Sequence, residues 1–233
     1  MAGGEPQARR SDLGVRTLSA IAMVAVAGAA LWLGGYLWVV FVALVAALVL
    51  FEWRRLVRGF APTWPVRLWW NLAGVFYIGF AAATLLALRE VPGGFAYVLA
   101  IVVAVIATDI GAYFAGRGIG GPKIAPRISP SKTWAGLAGG IVLAALMLAA
   151  LAELTAPGAV ALRALATFAS AGALAAVVAQ TGDFFESWMK RKAGVKDSSN
   201  LIPGHGGVFD RVDGLLSVSF AAGVLYLVVG ATA

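Results

Sequence analysis

The chain lacks cysteine and carries a single histidine and few charged residues. Without cysteine, disulfides and thiolate metal sites are excluded. Charged residues make up 12% of the 233 residues, whereas a typical soluble domain has roughly a quarter. So few charges cannot cover a water-facing globule, and most of the chain is therefore predicted to lie in a bilayer.

Apolar residues are abundant instead, at 61% of the chain, with a mean hydropathy of +0.89. They form solid runs of roughly 20 residues rather than the period-two alternation of a membrane barrel. The sequence therefore predicts an all-α fold, a polytopic transmembrane helix bundle of about seven helices (range roughly seven to nine). The predicted spans lie near residues 17–34, 35–52, 68–88, 94–114, 134–152, 164–187 and 214–231.

Three positions carry specific expectations about these spans. Gly34–Gly35 leaves room only for a tight turn between the first two. Arg163 interrupts the apolar region that begins after Pro157, so this region holds either one long helix or two short ones. The run beginning near Thr17 is too long for a signal-peptide core, and we interpret it as a retained first helix.

The basic residues predict the orientation. With the N-terminus in the cytoplasm, 16 of the 18 Lys and Arg residues fall on cytoplasmic segments, which is the positive-inside pattern. The net charge of +7 then indicates contact with anionic lipid and not with nucleic acid. We expect a cytoplasmic segment at residues 1–16 and a single transmembrane domain at 17–233, with polar loops 109–136 and 180–214 at the cytoplasmic face.

The loop at residues 180–214 contains five of the eleven acids and the single histidine. Asp183 and Glu186 are three residues apart, as are Asp210 and Asp213, so each pair shares a face if its segment is helical. Carboxylates near the membrane are costly unless they are paired or bind a cation. An oxygen-ligand site suits Mg²⁺, which makes Asp183, Asp210 and Asp213 a candidate metal cluster. The alternative is that these acids only form ion pairs with nearby basic residues.

The same loop offers cations and a glycine-rich turn to an anion. Lys190, Arg191, Lys196 and Arg211 could neutralise a polyphosphate, the lysines as point charges and the arginines as planar forks. The segment P-G-H-G-G at 203–207 lets backbone N–H groups approach a ligand closely. Its histidine is either an acid–base group or phosphate ligand, or a structural residue of the loop.

A second polar group follows the fourth span. Asp109 lies inside the apolar run, and an intramembrane acid is a functional candidate by default. The segment S-P-S-K-T-W at 129–134 supplies hydroxyl groups and a cation just before a helix, where backbone N–H groups could also bind an anion. The alternative for this segment is an ordinary Ser/Thr helix cap.

Together these motifs resemble those of the phosphatidate cytidylyltransferases (CDP-diacylglycerol synthases). The resemblance is strongest at residues 187–213, where a serine is followed by K-R, K-D, P-x-H-G-G and D-R-x-D. The segments Q-T-G-D-F-F-E-S, D-I-G-A-Y-F-A-G-R-G-I-G at 109–120 and S-P-S-K-T-W also look like family motifs. One departure is Ala135, because the family commonly has an acid there.

The resemblance implies that the lipid phosphate of phosphatidic acid attacks the α-phosphorus of CTP, giving CDP-diacylglycerol and pyrophosphate. It implies Mg²⁺ and a second cation, with K⁺ a candidate, a homodimer, and a bacterial inner membrane with the site facing the cytoplasm. The residues assigned to catalysis are Asp183, Asp210, Asp213, Lys196 and His205, with the three aspartates as metal ligands. The residues assigned to substrate binding are Asp109, Ser129, Ser131, Lys132, Thr133, Gln180, Glu186, Lys190, Arg191, Asp197, Gly206, Gly207 and Arg211.

Two rival functions are left open by the residues. A related CTP-dependent lipid kinase, or a synthase that acts on a different lipid phosphate, would use similar groups. A transporter would also carry intramembrane acids, but its polar residues should recur near the midplane of several helices. Here the polar residues gather at one face, which favours an enzyme.

Overall fold

A computed structural model describes residues 5–155 and 162–230. Over these ranges, seven helices are long and apolar enough to cross a membrane, which confirms the predicted all-α bundle. In chain order the elements are α1 (Glu5–Leu33), α2 (Gly35–Phe60), α3 (Trp64–Glu90), α4 (Gly94–Gly118), β1 (Lys123–Ala125), β2 (Ser129–Thr133), α5 (Trp134–Thr155), α6 (Leu162–Lys192) and α7 (Phe209–Gly230).

The helix boundaries agree with the predicted tight turn, resolve the region around Arg163 and move the start of the last span. Gly34 has a positive φ of 65° and separates α1 from α2, which confirms the tight turn. Helix α6 runs without a break past Arg163 to Lys192, so the described part of that region is one long helix, while residues 156–161 lie outside the described ranges. Helix α7 begins at Phe209, earlier than the predicted span.

The outer surface of the bundle is suited to lipid. Large apolar side chains point outward along the helices, and the exposed fractions of Tyr36 and Leu18 are 92% and 70%. Water-soluble proteins rarely expose continuous apolar surface of this kind. With helices of spanning length, this surface identifies a multi-pass membrane protein.

An aromatic core joins helices from distant parts of the sequence near the polar end of the bundle. Trp53 of α2 is buried, and its indole N–H donates to the carbonyl oxygen of Trp70 at 2.8 Å. Its ring also packs against those of Phe185 in α6 and Phe209 in α7, with centroids 5.8 and 5.9 Å apart. This cluster therefore holds α2, α3, α6 and α7 together beside the polar loops.

A second contact places the loop between α4 and α5. A Cβ on Gly111 would collide with the carbonyl group of Gly139, so the two helices approach through backbone, as small residues allow in membranes. The chain between them forms the antiparallel hairpin β1–β2, in which Lys123 pairs with Thr133 and Ala125 with Ser129. The sequence did not predict these strands.

Candidate functional site

The polar loops predicted at one face of the membrane lie at the same end of the bundle. The hairpin β1–β2 and the loop between α6 and α7 are joined by Arg191, whose Nε donates to the carbonyl oxygen of Ile128 at 3.3 Å. Arg191 also donates through Nη1 to the carbonyl oxygen of Val195 at 3.3 Å. Arg191 is thus engaged in holding the two loops against each other.

Three carboxylates converge where α6 meets α7. Asp183 and Glu186 lie one turn apart on α6 and Asp213 lies on α7, and one oxygen from each falls within 4.8 Å of the others. Gly182 permits this approach, because a Cβ there would lie 2.8 Å from the carbonyl oxygen of Asp213. The group offers three oxygen ligands at a spacing that a divalent cation could bridge.

The chemistry of this group fits a cation. Glu186 is buried, and within the described part of the chain its Oε1 has no hydrogen-bond partner. Its other oxygen contacts the ammonium of Lys190, which also contacts Asp210. The three carboxylates together offer hard oxygen donors of the kind that Mg²⁺ prefers, and one of these oxygens is still free to bind. The residues present therefore fit a bound metal ion.

Lys132 brings a positive charge from the hairpin to this group. Its ammonium forms an ion pair with Asp183 and lies over the ring of Phe184, 4.4 Å from the centroid. The neighbouring Thr133 is buried, and its hydroxyl accepts the backbone N–H of Gly136 at 3.0 Å. Thr133 therefore caps α5, as the alternative interpretation of this segment proposed.

Asp210 is linked to Glu186 through Lys190. The ammonium of Lys190 is 2.5 Å from a Glu186 oxygen and 2.6 Å from an Asp210 oxygen. The second oxygen of Asp210 accepts the backbone N–H groups of Ser198 at 2.9 Å and Gly207 at 2.8 Å. Asp210 was also predicted to be a metal ligand, and that role stays a prediction; the three carboxylates whose oxygens lie within 4.8 Å of one another are those of Asp183, Glu186 and Asp213.

A basic cleft of about 470 Å³ opens beside Asp210. It is lined by residues of α1, of the loop between α6 and α7, and of α7, namely Arg16, Lys196, Asp197, Asn200, Ile202, Pro203, Gly204, His205, Gly206 and Arg211. The turn in its wall closes through the N–H of Ile202 donating to the carbonyl oxygen of Gly206 at 2.8 Å. Gly204 and Gly206 have φ of 75° and 81°, which favours glycine at both positions.

His205 and Arg211 are joined through the backbone of this turn. The guanidinium of Arg211 donates to the carbonyl oxygen of His205 through Nε at 3.0 Å and Nη2 at 2.8 Å. The Nδ1 atom of His205 is buried with no hydrogen-bond partner among the residues described. That unsatisfied nitrogen leaves His205 able to bind a ligand in the cleft.

The other predicted residues lie around these two centres. Asp109 of α4 is within electrostatic range of Asp183 and Asp213. Gln180 is buried on α6, and Ser129 is buried at the start of β2. Ser131 lies in the hairpin, where its carbonyl oxygen accepts a hydrogen bond from Lys123 at 3.3 Å. Gly207 lies beside Asp210, to which its backbone N–H donates at 2.8 Å. The roles assigned to all of these residues stay predictions.

A cavity of similar size lies at the opposite end of the bundle, with a volume of about 440 Å³. Its wall includes Gly34, Arg89 and Phe95. Arg89 donates to the carbonyl oxygen of Leu31 at 3.2 Å and lies over the Phe95 ring, so it caps the end of α1. Volume therefore does not distinguish the two cavities, but the carboxylates and cations favour the one at the polar loops.

Sequence reasoning missed Glu52. This residue is fully buried on α2 and contacts the loop between α6 and α7, where Ser199 donates to its Oε1 at 2.5 Å. Glu52 is an acid inside an apolar run, and that pattern alone marks a functional candidate. The basic residues Arg54 and Arg55 follow closely and are typical of a cytoplasmic membrane boundary, which obscures this signal.

Comparisons of this chain with known proteins agree on one family. Residues 66–231 match the family model described as Cytidylyltransferase family. A Brucella suis protein named phosphatidate cytidylyltransferase is 49% identical over 162 residues, which cover 68% of this chain and 56% of that protein. A Bacillus subtilis protein of the same name is 39% identical, over 76% of this chain and 64% of its own length. A Rickettsia bellii protein of that name is 33% identical, over 95% of this chain and 93% of its own length. The chain thus spans little more than half the length of the Brucella relative.

Proposed function

This chain belongs to the cytidylyltransferase family, and on that premise we propose that it transfers a cytidylyl group from CTP to phosphatidic acid. The observation that carries the proposal is the meeting of three carboxylates with a basic cleft at one end of a membrane bundle. Phosphoryl and nucleotidyl transfer depend on positioning and charge neutralisation more than on a protein nucleophile. This end of the bundle supplies both.

Mg²⁺ is proposed to bind at Asp183 and Asp213, the two predicted metal ligands that the group of carboxylates contains. Glu186 is the third carboxylate within reach, and Asp210 is the third one predicted from the sequence. When bound, the metal supplies neutralisation of negative charge on the nucleotide phosphates and polarisation of the α-phosphorus. The predicted second cation, with K⁺ a candidate, belongs to the same acidic region.

The basic residues act on the two anionic substrates. Lys132 and Lys190 lie at the carboxylates, and Lys196, His205 and Arg211 line the cleft. We assign the first two to the nucleotide phosphates nearest the metal and the other three to the phosphate groups that occupy the cleft. Lysine ammonium and arginine guanidinium groups bind phosphate oxygens through charge-assisted hydrogen bonds.

The reaction itself balances without a protein nucleophile. A phosphate oxygen of the lipid forms a bond to the α-phosphorus of CTP while the bond between the α-phosphorus and the bridging oxygen breaks, and pyrophosphate leaves. A phosphate monoester is largely ionised at neutral pH, so the attacking oxygen needs no strong general base. The chain's residues bind, orient and neutralise the two reactants.

The location of the site suits these substrates. CTP is soluble and phosphatidic acid is a lipid, so their reaction needs a site at the membrane surface. We place this site at the cytoplasmic face of a bacterial inner membrane, because the basic residues cluster at the same end. A homodimer is also proposed, on the family resemblance, and light scattering of the purified protein in detergent tests it.

Labelled CTP tests the proposed reaction. Purified full-length chain incubated with phosphatidic acid and Mg²⁺ should move label from the α-phosphate of CTP into lipid, and label from the γ-phosphate into pyrophosphate. If γ-phosphate appeared on a lipid alcohol instead, the chain would be a lipid kinase, the alternative considered from the sequence. If neither transfer occurred while related enzymes assayed in parallel were active, the proposal would be contradicted.

A further inference from the structure

Glu52 is a buried carboxylate on α2, under the loop that joins α6 to α7. None of its side chain is exposed, and it precedes residues 66–231, which match the family model. A buried carboxylate is costly unless its oxygens are satisfied. Its contacts therefore show what it holds in place.

Both oxygens of Glu52 accept hydrogen bonds from the two ends of the segment 198–209, the second part of this loop and the start of α7. At the first end, the hydroxyl groups of Ser199 and Ser198 donate to Oε1 at 2.5 Å and to Oε2 at 3.0 Å. At the second end, the backbone N–H groups of Val208 and Phe209 donate to Oε1 at 2.9 Å and to Oε2 at 2.6 Å. One side chain thus ties residues 198–199 and 208–209 to α2.

The hydrogen bonds from Val208 and Phe209 to Glu52 cap a helix. Helix α7 begins at Phe209, and the first N–H groups of a helix have no partner within it. Glu52 accepts two such groups, and Asp210 accepts the preceding one from Gly207 at 2.8 Å. A negative charge at a helix N-terminus is favourable, so Glu52 fixes where α7 starts.

Glu52 also acts on Asp210 through Ser198. The Ser198 hydroxyl lies between them, 3.0 Å from a Glu52 oxygen and 2.9 Å from an Asp210 oxygen. Gly207 is packed so tightly here that a Cβ would lie 2.5 Å from Oε1 of Glu52. Both ends of the segment 198–209, together with Asp210 and α2, therefore belong to one hydrogen-bonded network beside the cleft.

We propose that Glu52 is a positioning residue that holds the segment 198–209 in the shape required for nucleotide binding. Glu52 does not line the cleft, so it acts through the residues that do, among them His205 and Arg211. The identity of the nucleotide as CTP rests on the proposed function. The anchoring itself rests on the hydrogen bonds of Glu52.

Glu52→Gln tests this role in the full-length protein. The amide keeps the size of the side chain but turns an NH₂ group toward N–H and O–H donors, so some of the hydrogen bonds are lost. Deuterium exchange measured by mass spectrometry should become faster for the segment 198–209, and the KM for CTP should rise, each by about tenfold. Glu90→Gln is the matched control, because Glu90 is exposed at the opposite end of the bundle and should change neither quantity.

The split between kcat and KM separates positioning from a general structural role. A variant that merely lowers the folded fraction would lower the apparent kcat and leave the KM for CTP unchanged, and that result would overturn the proposal. Ser199→Ala removes a single donor to Glu52 and should shift exchange and KM in the same direction by a smaller factor. If Glu52→Gln does not fold, Ser199→Ala decides: unchanged exchange and unchanged KM would overturn the proposal.

Failure of the proposed reaction is distinguishable from failure of the anchor. If the wild-type protein transferred no cytidylyl group, the proposed function would fall, while the exchange of residues 198–209 would still report on Glu52. If the wild type and Glu90→Gln were active and Glu52→Gln matched them in exchange and KM, only the anchor would fall.

Discussion

Lys190 lies between two carboxylates that could each complete a metal site. Its ammonium contacts Glu186 and Asp210 at 2.5 and 2.6 Å, whereas Glu186 alone of this pair groups with Asp183 and Asp213. The sequence-based prediction named Asp210 as the third ligand. The geometry favours Glu186 in that place, with Asp210 held by Lys190 and by the loop.

Paired substitutions at these two acids separate the alternatives. If Glu186 is the third ligand, Glu186→Gln should raise the Mg²⁺ concentration for half-maximal activity by at least about tenfold, the scale expected when support of a metal site is lost. Asp210→Asn should lower turnover, because it disturbs Lys190 and the loop, but should leave the Mg²⁺ requirement within about threefold of the wild type. The measurement is a Mg²⁺ titration of CTP turnover.

The reverse pattern would restore the original prediction. If Asp210→Asn shifted the Mg²⁺ requirement and Glu186→Gln did not, Asp210 would be the ligand and Glu186 its neighbour. Both variants keep the side-chain size, so a difference between them reports on charge and not on packing.

At the scale of residues, the sequence predicted which side chains share a helix face but not which distant segments come into contact. The three-residue spacing of Asp183 and Glu186 was enough to place them on one face, because α6 continues through both. The bond from Ser199 to Glu52 joins residues 147 positions apart, and no local pattern encodes such a pairing. Glu52 could have been flagged as an intramembrane acid, but its partners could not.

At the scale of elements, the site depends on how closely α6 and α7 approach. Gly182 sets this distance, because a Cβ there would lie 2.8 Å from the carbonyl oxygen of Asp213 and would collide with Ser217. Helices in membranes pack closely at such small residues. The separation of Asp183 from Asp213 therefore depends on a residue that has no side chain.

Gly182→Ala should impair the site more than a buried methyl group usually would. Overpacking costs about 1–3 kcal/mol, and here the strain falls on the contact that brings two carboxylates together. We expect a lower melting temperature in detergent and a loss of CTP turnover greater than about tenfold. Gly79→Ala is the control, because a Cβ at Gly79 would meet open space. Equal turnover in the two variants would contradict the role of Gly182.

The hairpin β1–β2 shows where element prediction fails. Its strands are three and five residues long, and prolines at 122, 126 and 130 argue against strands in a sequence. Pairing with a partner strand a few residues away is what stabilises them, and single-segment patterns do not contain that information. The helices were predictable because long apolar runs in a bilayer must satisfy their backbone hydrogen bonds internally.

For the whole molecule, transfer from cytoplasmic CTP requires the hairpin and the loop between α6 and α7 to face the cytoplasm. The chain has no cysteine, so a single introduced thiol reports its own side of the membrane. In right-side-out vesicles, a membrane-impermeant maleimide should label Glu90→Cys, at the end of α3, and spare Arg127→Cys, in the exposed hairpin turn. Inside-out vesicles should give the opposite result.

Labelling of the hairpin from outside would contradict this orientation. If Arg127→Cys were labelled from outside, the carboxylates would lie on the side of the membrane without CTP, and the proposed reaction could not occur there. Labelling after detergent lysis is the control for thiol reactivity in both variants.

The central claim is that acids of α6 and α7 bind one divalent cation, and Mn²⁺ binding followed by electron paramagnetic resonance tests it most directly. Mn²⁺ replaces Mg²⁺ at oxygen sites, and its free signal falls on binding. We expect Asp183→Asn and Asp213→Asn each to weaken Mn²⁺ binding by at least about 100-fold, while Glu90→Gln binds like the wild type. Wild-type affinity for Mn²⁺ in the Asp213→Asn variant would contradict the account.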